Sequence, residues 1–511
     1  MNPNFFAYGS LPIYAIYFSG LIYNFFTSCQ LLIADCKSSF EQAIVISRVY
    51  SAFFSTLLIP LLYLIGKNLK GTKTGLLAAF FAAFSVGFIQ FAHFGTFEMW
   101  LTFFTTLLFW LCLRCIEKLT ASNIFLLAII SGILIATKIS HILILPLPII
   151  AILYKDFQYY HATFRTKHND PKNTLSLHMK RFTKAIIRIL FFAAVATATY
   201  FISNPFVHFD YQSFLNSMKY ESGLALGSLP VFYTQGFYDT IPIIFQFNRI
   251  FPFILNPLLT AMFVPAFLYL LFQAAKTKSV PLLLLNFYFL TLFLPQAVLF
   301  AKWTRYIVPA LPFMYLTLSL AFAHLWDLVD RKKQVLRIRY LVFSIFLGLN
   351  ILFGVSYFIT AFARPDTRVI ASEFAKLNIP FSSKVMSEPY DLGLIPFNFS
   401  DPINMFNFYE LDNNSPEFTQ QKLKEDLSST EYMILPSQRL LISRLPKRAK
   451  FPNGHLFYSE LINSEQWEKI YQTPCDIFCR ITYLNDPVFR FEETAMVFDR
   501  PTVMIFKKAS K

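Results

Sequence analysis

Long apolar runs recur along the first 362 residues and constrain this chain more than any other feature. A helix needs about 20 predominantly apolar residues to cross a bilayer. Of the 511 residues, 55% are hydrophobic and 15% are charged, whereas soluble domains are nearer a quarter charged. The pattern predicts a polytopic α-helical membrane protein of about 10–11 membrane segments. The ten clearest spans are residues 42–65, 75–92, 99–116, 122–137, 139–154, 185–203, 252–273, 280–300, 306–326 and 339–362.

The basic residues lie mainly in every second connection between these spans, for example Lys67, Lys70 and Lys73. The positive-inside rule places these connections in the cytoplasm and the alternate ones outside, together with the tail after Arg364. This clustering in short loops explains the formal charge of +15 without a nucleic-acid surface. The expected partner is therefore the lipid bilayer, with no nucleic acid, and the expected location is a plasma or inner membrane.

The first apolar segment, LPIYAIYFSGLIYNFF at residues 11–26, is short for a full crossing. Loop parity places residues 27–41 outside, so the segment is either an interfacial helix or a weak span. A second interpretation, which we favour, is that the chain has lost a transmembrane helix that preceded this segment.

The tail from Pro365 to Lys511 has a different character, and we expect a transmembrane domain at 1–364 and an extracytoplasmic α/β domain at 365–511. RVIASEFAKLNI and SEQWEKIY are predicted as helices, and EYMILPSQRLLISRL as a strand followed by a helix. KVMSE, ITYL and PTVMIF are predicted as strands. A disulfide between Cys475 and Cys479 is compatible with an external tail. Asn398 and Asn413 begin glycosylation sequons.

The stretch HFGTFEMW places His93 and Glu98 at an external membrane edge, where a charge is costly. On one continuous helix the two side chains would diverge by about 140°. Gly95 and Thr96 predict a break in the helix, which would turn both toward one pocket. Glu98 is then a candidate base, metal ligand or anchor for a hydroxyl group. The alternative is an ordinary helix start with Thr96 as its cap.

Two further external sites carry cations against the charge bias. Lys138 separates two short apolar runs and is a candidate phosphate-binding residue or a snorkelling lysine at a turn. In KWTRY, Lys302 and Arg305 suit a diphosphate or a lipid headgroup. The alternative there is an interfacial anchor with Trp303 and Tyr306 in the aromatic belt.

The external loop at residues 204–251 mixes aromatic rings with polar groups. Sugar rings offer apolar faces and hydroxyl edges, which such a loop suits, although a loop in the headgroup region has the same composition. The candidate substrate residues are His208, Asp210, Glu221, Tyr233 and Thr234. The pair Cys112 and Cys115 has no second pair and no nearby His, so no metal site is predicted.

Several stretches resemble the GT-C superfamily, whose members are polytopic glycosyltransferases that use polyprenyl-phosphate sugars. The resemblance is to the branch of protein O-mannosyltransferases and lipid A aminoarabinose transferases. It runs in order through NPNFFAYGSLPIY, SRVYSAFFSTLLIPLLYLIGKNLKGTKTGLLAAFFAAFS, FAHFGTFEMWLTFF, GILIATKISHILILPLP, KWTRYIVPALPF and EETAMVFDRPTVMIFKK.

The resemblance implies an inverting transferase whose active site faces the non-cytoplasmic side. Glu98 then matches the family's second acidic position, and His93 the histidine before it. Lys138 and Arg305 match residues that hold the lipid phosphate of the donor, with Tyr306 beside Arg305. The family's principal catalytic acid precedes the stretch like NPNFFAYGSLPIY, with which this chain already begins. The first helix and that carboxylate are therefore expected to be missing.

The leading hypothesis is an inverting hexosyltransferase that moves a mannose-like monosaccharide from a polyprenyl phosphate to an acceptor hydroxyl of unknown identity. No tightly bound cofactor is expected, and a divalent metal is left open. One alternative is an inactive or split-gene homologue that acts as a membrane scaffold. The other is a lipid or sugar transporter, which would carry repeated halves and charges at mid-membrane.

Overall fold

A computed structural model describes residues 2–27, 39–166, 171–229, 231–330, 336–388, 403–412 and 416–509. The sequons at Asn398 and Asn413 and the basic residues Arg331, Lys332 and Lys333 lie outside the described residues. The chain forms two compact units that interleave in sequence. The first unit comprises residues 1–229, 257–299 and 305–346, and the second comprises residues 230–256, 300–304 and 347–511. The predicted domain division at residue 364 stays a prediction.

Helices make up the first unit, and each of the ten predicted spans falls on helical structure. The helices are Ser10–Thr27, Phe40–Leu69, Thr72–Ala83, Val86–His93, Glu98–Glu117, Ala121–Thr137, Pro146–Thr166, Pro171–Ser203, Phe206–Phe209, Tyr211–Leu226, Pro257–Thr277, Val280–Val298, Thr304–Ile307, Leu311–Asp330 and Leu336–Ala361, the last of which continues into the second unit. Ile139–Ile144 and Val308–Ala310 are short 3₁₀ helices.

Among the described residues, eight helical segments are long and apolar enough to cross a membrane. The helices Thr72–Ala83 and Val86–His93 are bent by 52° and form either one broken span, which would be a ninth, or a re-entrant loop. Ala121–Thr137 is apolar but shorter. The predicted polytopic membrane protein is therefore confirmed. Ser10–Thr27 is helical over 18 residues but is not among these candidate spans.

Ser85 fixes the bend between the helices Thr72–Ala83 and Val86–His93. Its side chain caps the second helix by accepting a hydrogen bond of 3.1 Å from the N–H of Phe88. The hydroxyl of Tyr315 donates a second bond of 2.7 Å to the same oxygen. Phe88 and Tyr315 are both buried, so these hydrogen bonds are protected from water and hold the bend in place. The second helix then ends at His93, next to the segment that contains Glu98.

The second unit contains a small mixed sheet and short helices. Its strands are β1 (Val385–Ser387), β2 (Asn404–Met405), β3 (Tyr432–Leu435), β4 (Trp467–Gln472) and β5 (Met504–Lys508). Its helices in the C-terminal region are Thr367–Asn378, Phe408–Asp412, Pro416–Ser429, Arg439–Arg444, Pro452–Asn463, Ile477–Tyr483 and Glu493–Met496. The earlier segment of this unit contributes Phe232–Phe237, Gln246–Ile250 and Phe251–Ile254.

The strand order is β2-β1-β3-β5-β4, with β1 parallel to β2 and β3, and β5 antiparallel to β3 and β4. Side chains alternate between the two faces of the sheet, as they must in a strand. Met433 and Phe506 belong to one apolar cluster, and Ile434 and Ile505 to the other. The prediction of a C-terminal α/β region is confirmed.

Two local predictions in this region are wrong. WEKIY is strand β4 rather than helix, because its backbone pairs with β5 from Trp467 to Gln472. The first three residues of ITYL lie in the helix Ile477–Tyr483, which Asp476 caps by accepting from the N–H of Cys479. The disulfide joins Cys475 to Cys479 across this first turn.

Candidate active site

The segment from Phe94 to Phe97 interrupts two helices, as Gly95 and Thr96 predicted. One helix ends at His93 and the next begins at Glu98. The hydroxyl of Ser51 holds the interruption by donating a hydrogen bond of 2.8 Å to the carbonyl of Thr96. Gly95 is required here because a Cβ would lie 2.3 Å from the Ser47 hydroxyl oxygen.

Glu98 is buried at the start of its helix, with 2% of its surface exposed. Its Oε2 has no hydrogen-bond partner among the described residues. Phe97 occupies the N-cap position, and no side chain caps this helix. Thr96 therefore does not cap this helix, although Glu98 is its first residue. A buried carboxylate needs opposite charge or hydrogen-bond donors to stay ionised.

Lys138 supplies charge of the opposite sign. It sits in extended conformation between the helix Ala121–Thr137 and the 3₁₀ helix that follows. Its ammonium lies 4.3 Å from the centre of the Tyr306 ring. Burial lowers the pKa of Lys138 to about 8, Glu98 and Glu221 oppose this effect, and Arg305 adds to it. The pKa of the lysine is thus influenced by both carboxylates and by a second cation.

Arg305 and Tyr306 belong to the last of the three sequence segments that form the first unit, and Tyr306 contacts Lys138. The Arg305 guanidinium donates a hydrogen bond of 3.2 Å to the hydroxyl of Tyr8. It also lies 5.5 Å from the centre of the Tyr306 ring. Burial raises the pKa of Tyr8, an effect that Arg305 opposes. The Tyr8 ring packs 4.1 Å from the ring of Phe97, the residue before Glu98.

Tyr8 is the functional candidate that sequence reasoning missed. Its stretch, NPNFFAYGSLPIY, was part of the resemblance, but no role was assigned to any of its residues. The backbone N–H of Gly9 donates a 3.0 Å hydrogen bond to the carbonyl of Thr137. A Cβ on Gly9 would lie 1.8 Å from the carbonyl oxygen of Ala136. The Tyr-Gly pair is the available signal, because only glycine permits this approach next to Lys138.

Asn204 stabilises the close contact between the Tyr8–Ser10 segment and the end of the helix Ala121–Thr137. Its side-chain oxygen accepts from the N–H of Ser10, and its amide donates 3.1 Å to the carbonyl of Ala136. Ser10 and Asn204 are both 1% exposed. These bonds tie the backbone just after Tyr8 to the backbone just before Lys138.

Glu221 is the loop residue that joins this cluster. It lies half-buried on the helix Tyr211–Leu226. Burial raises the pKa of Glu221, while Arg305 and Lys138 oppose the shift. Asp210 instead accepts a 2.9 Å hydrogen bond from Asn2, and His208 is exposed and packs against the rings of Phe201 and Phe209.

The remaining predicted site residues have other surroundings. Arg48 is a charged residue whose electrostatic influence reaches the imidazole of His93. Lys302 belongs to the second unit, where it is 4% exposed and donates 3.2 Å to the carbonyl of Phe300. Burial lowers the pKa of Lys302. Their roles in substrate binding stay predictions.

Tyr233 and Thr234 also belong to the second unit. The Tyr233 ring packs 6.1 Å from that of Trp303. Thr234 is fully buried, and its hydroxyl closes a turn by bonding both the N–H and the carbonyl of Val231. Thr234 therefore stabilises its own loop. Among the described residues, no group of three or more His, Cys, Asp or Glu side chains is arranged to hold a metal ion.

The first unit thus contains a cluster of two cations (Lys138 and Arg305), two tyrosines (Tyr8 and Tyr306) and two carboxylates (Glu98 and Glu221). Cations with tyrosine hydroxyls suit a phosphate, because they combine charge with hydrogen-bond donors. Carboxylates suit proton transfer from a hydroxyl. The fold and this site have the composition expected of a membrane glycosyltransferase that expels a phosphate.

Comparison with known families supports this class. Residues 32–168 match the model of the dolichyl-phosphate-mannose-protein mannosyltransferase family. The matched segment contains His93, Glu98 and Lys138, and it confirms the resemblance and the glycosyltransferase class predicted from the sequence for this part of the chain. A comparison with curated protein sequences gave no match.

Solved structures of two glycosyltransferases are similar over nearly the whole chain. The oligosaccharyltransferase of Archaeoglobus fulgidus, tethered to an acceptor peptide, has 13% identity and a TM-score of 0.47, covering 98% of this chain and 80% of that chain. ArnT from Cupriavidus metallidurans, bound to undecaprenyl phosphate, has 11% identity and a TM-score of 0.39, covering 99% and 89%. Such distant likenesses carry no inference about the residues of this chain.

Proposed function

We propose that the protein transfers a mannose-like monosaccharide from a polyprenyl phosphate to an acceptor hydroxyl on the non-cytoplasmic face of a membrane. The observation that carries the proposal is the cluster of Lys138 and Arg305 with Glu98 and Glu221. The C-terminal α/β region is proposed to lie on the same, non-cytoplasmic side, since the basic connections favour that topology.

Lys138 and Arg305 are proposed to hold the donor phosphate. Lys138 contributes a point charge, and Arg305 a planar set of donors. Tyr306 packs against both cations, and Tyr8 accepts a hydrogen bond from Arg305. The tyrosines keep the two long side chains in place, which lowers the entropic cost of binding an anion between them.

The reaction is a displacement at the anomeric carbon of the donor. The acceptor oxygen forms a bond to that carbon while the bond from carbon to phosphate oxygen breaks. The acceptor proton passes to a carboxylate, and the polyprenyl phosphate leaves with the bonding electrons. Lys138 and Arg305 stabilise the negative charge that develops on the leaving phosphate.

Glu221 is the stronger candidate for the proton acceptor. It is half-buried, and a carboxylate with a raised pKa is a better base near neutral pH. Glu98 is buried and opposes the fall in the pKa of Lys138, so its proposed role is to keep that lysine charged. The sequence left Glu98 open as a base, a metal ligand or an anchor for a hydroxyl group, and it placed Glu221 only among the candidate substrate residues.

The test is donor turnover by the full chain in lipid nanodiscs, with decaprenyl-phosphate mannose as the donor probe and release of decaprenyl phosphate as the readout. Lys138→Met and Arg305→Ala should each reduce turnover by roughly 10²-fold or more. Lys73→Ser, an exposed lysine outside the cluster, is the matched charge control and should retain activity.

Two results would overturn the proposal. One is wild-type turnover in both Lys138→Met and Arg305→Ala. The other is a wild-type protein that releases no polyprenyl phosphate from mannose, glucose or aminoarabinose donors. Turnover of the glucose or aminoarabinose donor in place of the mannose donor would overturn the sugar assignment while supporting the transfer reaction.

A further inference from the structure

The second unit contains a cavity of about 750 Å³ that the cluster around Lys138 does not use. Three segments of this unit form its walls, at residues 232–249, 439–450 and 489–493, with Tyr409 between them. Cavities of roughly 300–1,000 Å³ are typical of small-ligand sites. The volume therefore suits a short oligosaccharide or a ligand of similar size.

One wall of the cavity is aromatic. Phe232 packs against Tyr233 and Tyr409 at centroid distances of 4.9 and 5.1 Å. Tyr238 lies in the same lining and packs 5.2 Å from Phe300. Tyrosines present an apolar face together with a hydroxyl, and this combination matches the faces and edges of sugar rings.

The charge of the cavity is mostly balanced within the wall. Five basic and three acidic residues line it. Arg439 pairs with Glu493, and Arg249 donates to the carbonyls of Phe489 and Arg490. These groups already have partners, so they are not the ones that would recognise an added anion.

The segment from Lys447 to Lys450 carries the surplus positive charge. Lys447 donates 2.6 Å to the carbonyl of Gly236. Lys450 lies over the Tyr238 ring, 4.6 Å from its centre, and is exposed. Arg448 is exposed and makes no hydrogen bond or ion pair with the described residues. Arg448 and Lys450 are thus two solvent-accessible cations at the cavity with no acidic partner among the residues that the structure describes.

The electrostatics of Lys447 indicate the same surplus. Burial is the main cause that lowers the pKa of Lys447 to about 8. Asp239 opposes the shift, and Arg444 and Arg249 contribute to it. Uncompensated positive charge in a partly enclosed space attracts anions.

We propose that this cavity binds an acidic saccharide, with carboxylates or other anionic groups of the sugar at Arg448 and Lys450 and a ring against the aromatic wall. An acidic peptide would satisfy the cations but not the tyrosine wall, and a neutral sugar would satisfy the wall but not the cations. The proposal does not depend on the transfer reaction assigned to the first unit.

The experiment measures binding of trigalacturonate to the full chain in nanodiscs, without any donor, by isothermal titration calorimetry. Trigalacturonate should bind more tightly than maltotriose or hexaglutamate, and its affinity should fall with added salt. The double variant Arg448→Ser/Lys450→Ser should weaken binding roughly tenfold. Tyr233→Leu should also weaken it, whereas Tyr233→Phe should restore most of the affinity.

The matched control is Lys422→Ser/Lys424→Ser, which removes two exposed cations from the helix Pro416–Ser429 of the same unit. Unchanged affinity in this control supports a site at the cavity. Equal weakening by both double variants, or hexaglutamate binding as tightly as trigalacturonate, overturns the proposal because it shows non-specific attraction. No binding of trigalacturonate by the wild-type protein also overturns it.

Discussion

The ammonium of Lys138 lies 4.3 Å from the centre of the Tyr306 ring, although the two residues lie far apart in the sequence of the first unit. The contact joins the segment matched by the mannosyltransferase family, residues 32–168, to a helix outside it. Arg305, the neighbour of Tyr306, is close enough to contribute to the lowered pKa of Lys138. Lys138 and Arg305, one cation from each of these segments, can then act on one phosphate.

Tyr8→Phe should lower turnover by roughly tenfold. The variant removes the acceptor of the 3.2 Å bond from Arg305, and bonds to charged groups contribute about 1.5–3 kcal/mol. Because the bond is proposed to position the guanidinium, the Michaelis constant for decaprenyl-phosphate mannose should rise. The check is steady-state kinetics in nanodiscs, and Tyr14→Phe on the neighbouring helix is the matched control. Kinetics unchanged by Tyr8→Phe would exclude this positioning role.

Gly9→Ala should reduce both turnover and thermal stability. Its Cβ would lie 1.8 Å from the Ala136 carbonyl oxygen, and forcing atoms into a packed region costs about 1–3 kcal/mol. Gly348→Ala is the control, since no heavy atom lies within 4 Å of a Cβ there, and it should leave the unfolding midpoint unchanged or raise it. Scanning fluorimetry measures both. A wild-type midpoint and turnover in Gly9→Ala would contradict the close approach.

Glu221→Gln should remove the acidic limb of the pH–rate profile. A carboxylate base is active when deprotonated, so kcat/KM rises with pH through its pKa, which burial raises above the ordinary value. The variant should also lower the plateau by roughly 10²–10⁴-fold. Glu373→Gln, on an exposed face of the helix Thr367–Asn378, is the control and should leave the profile unchanged.

Glu98→Gln should instead shift the alkaline limb of the pH–rate profile. Glu98 raises the pKa of Lys138, which is about 8, so its neutralisation should lower that pKa and move the loss of activity to lower pH. The same pH–rate measurement tests this. If Glu98→Gln removes the acidic limb and Glu221→Gln does not, the proposed roles of the two carboxylates are wrong and Glu98 is favoured as the base.

Thr304→Val should destabilise the second unit by about 1.5–3 kcal/mol, because it removes a donor to a buried carboxylate. The Thr304 hydroxyl donates 2.6 Å to Glu492, and the two residues are 1% and 4% exposed. The measurement is the unfolding midpoint. Thr277→Val, at an exposed helix end where the hydroxyl bonds only its own helix, should change it less. Equal shifts would show that the buried bond contributes nothing specific.

Much of the fold was predictable because its main determinants are local. An apolar run long enough to span a bilayer forms a helix wherever it occurs, since its backbone groups must bond within the segment. The C-terminal errors have the opposite origin. WEKIY is a strand because Met504–Lys508 lies beside it, and that partner is distant in sequence.

The candidate site was predictable only one residue at a time. Glu98, Lys138 and Arg305 stood out because charges at membrane edges are costly. Tyr8 did not stand out, because an aromatic residue in an apolar stretch has no such cost. Lys302 and Arg305 are three residues apart but belong to different compact units, and their joint role in phosphate binding stays a prediction.

The sequence by itself determined that the chain is a polytopic membrane protein with a C-terminal α/β region, because hydrophobic length and the balance of charge in loops act locally. It also marked Glu98, Lys138 and Arg305 as residues whose burial needs an explanation. Only the tertiary structure decided which of them meet. Glycine at position 9 lets Tyr8 reach Arg305, and helix packing brings Tyr306 to Lys138. Such contacts depend on distances between helices, which no local pattern encodes.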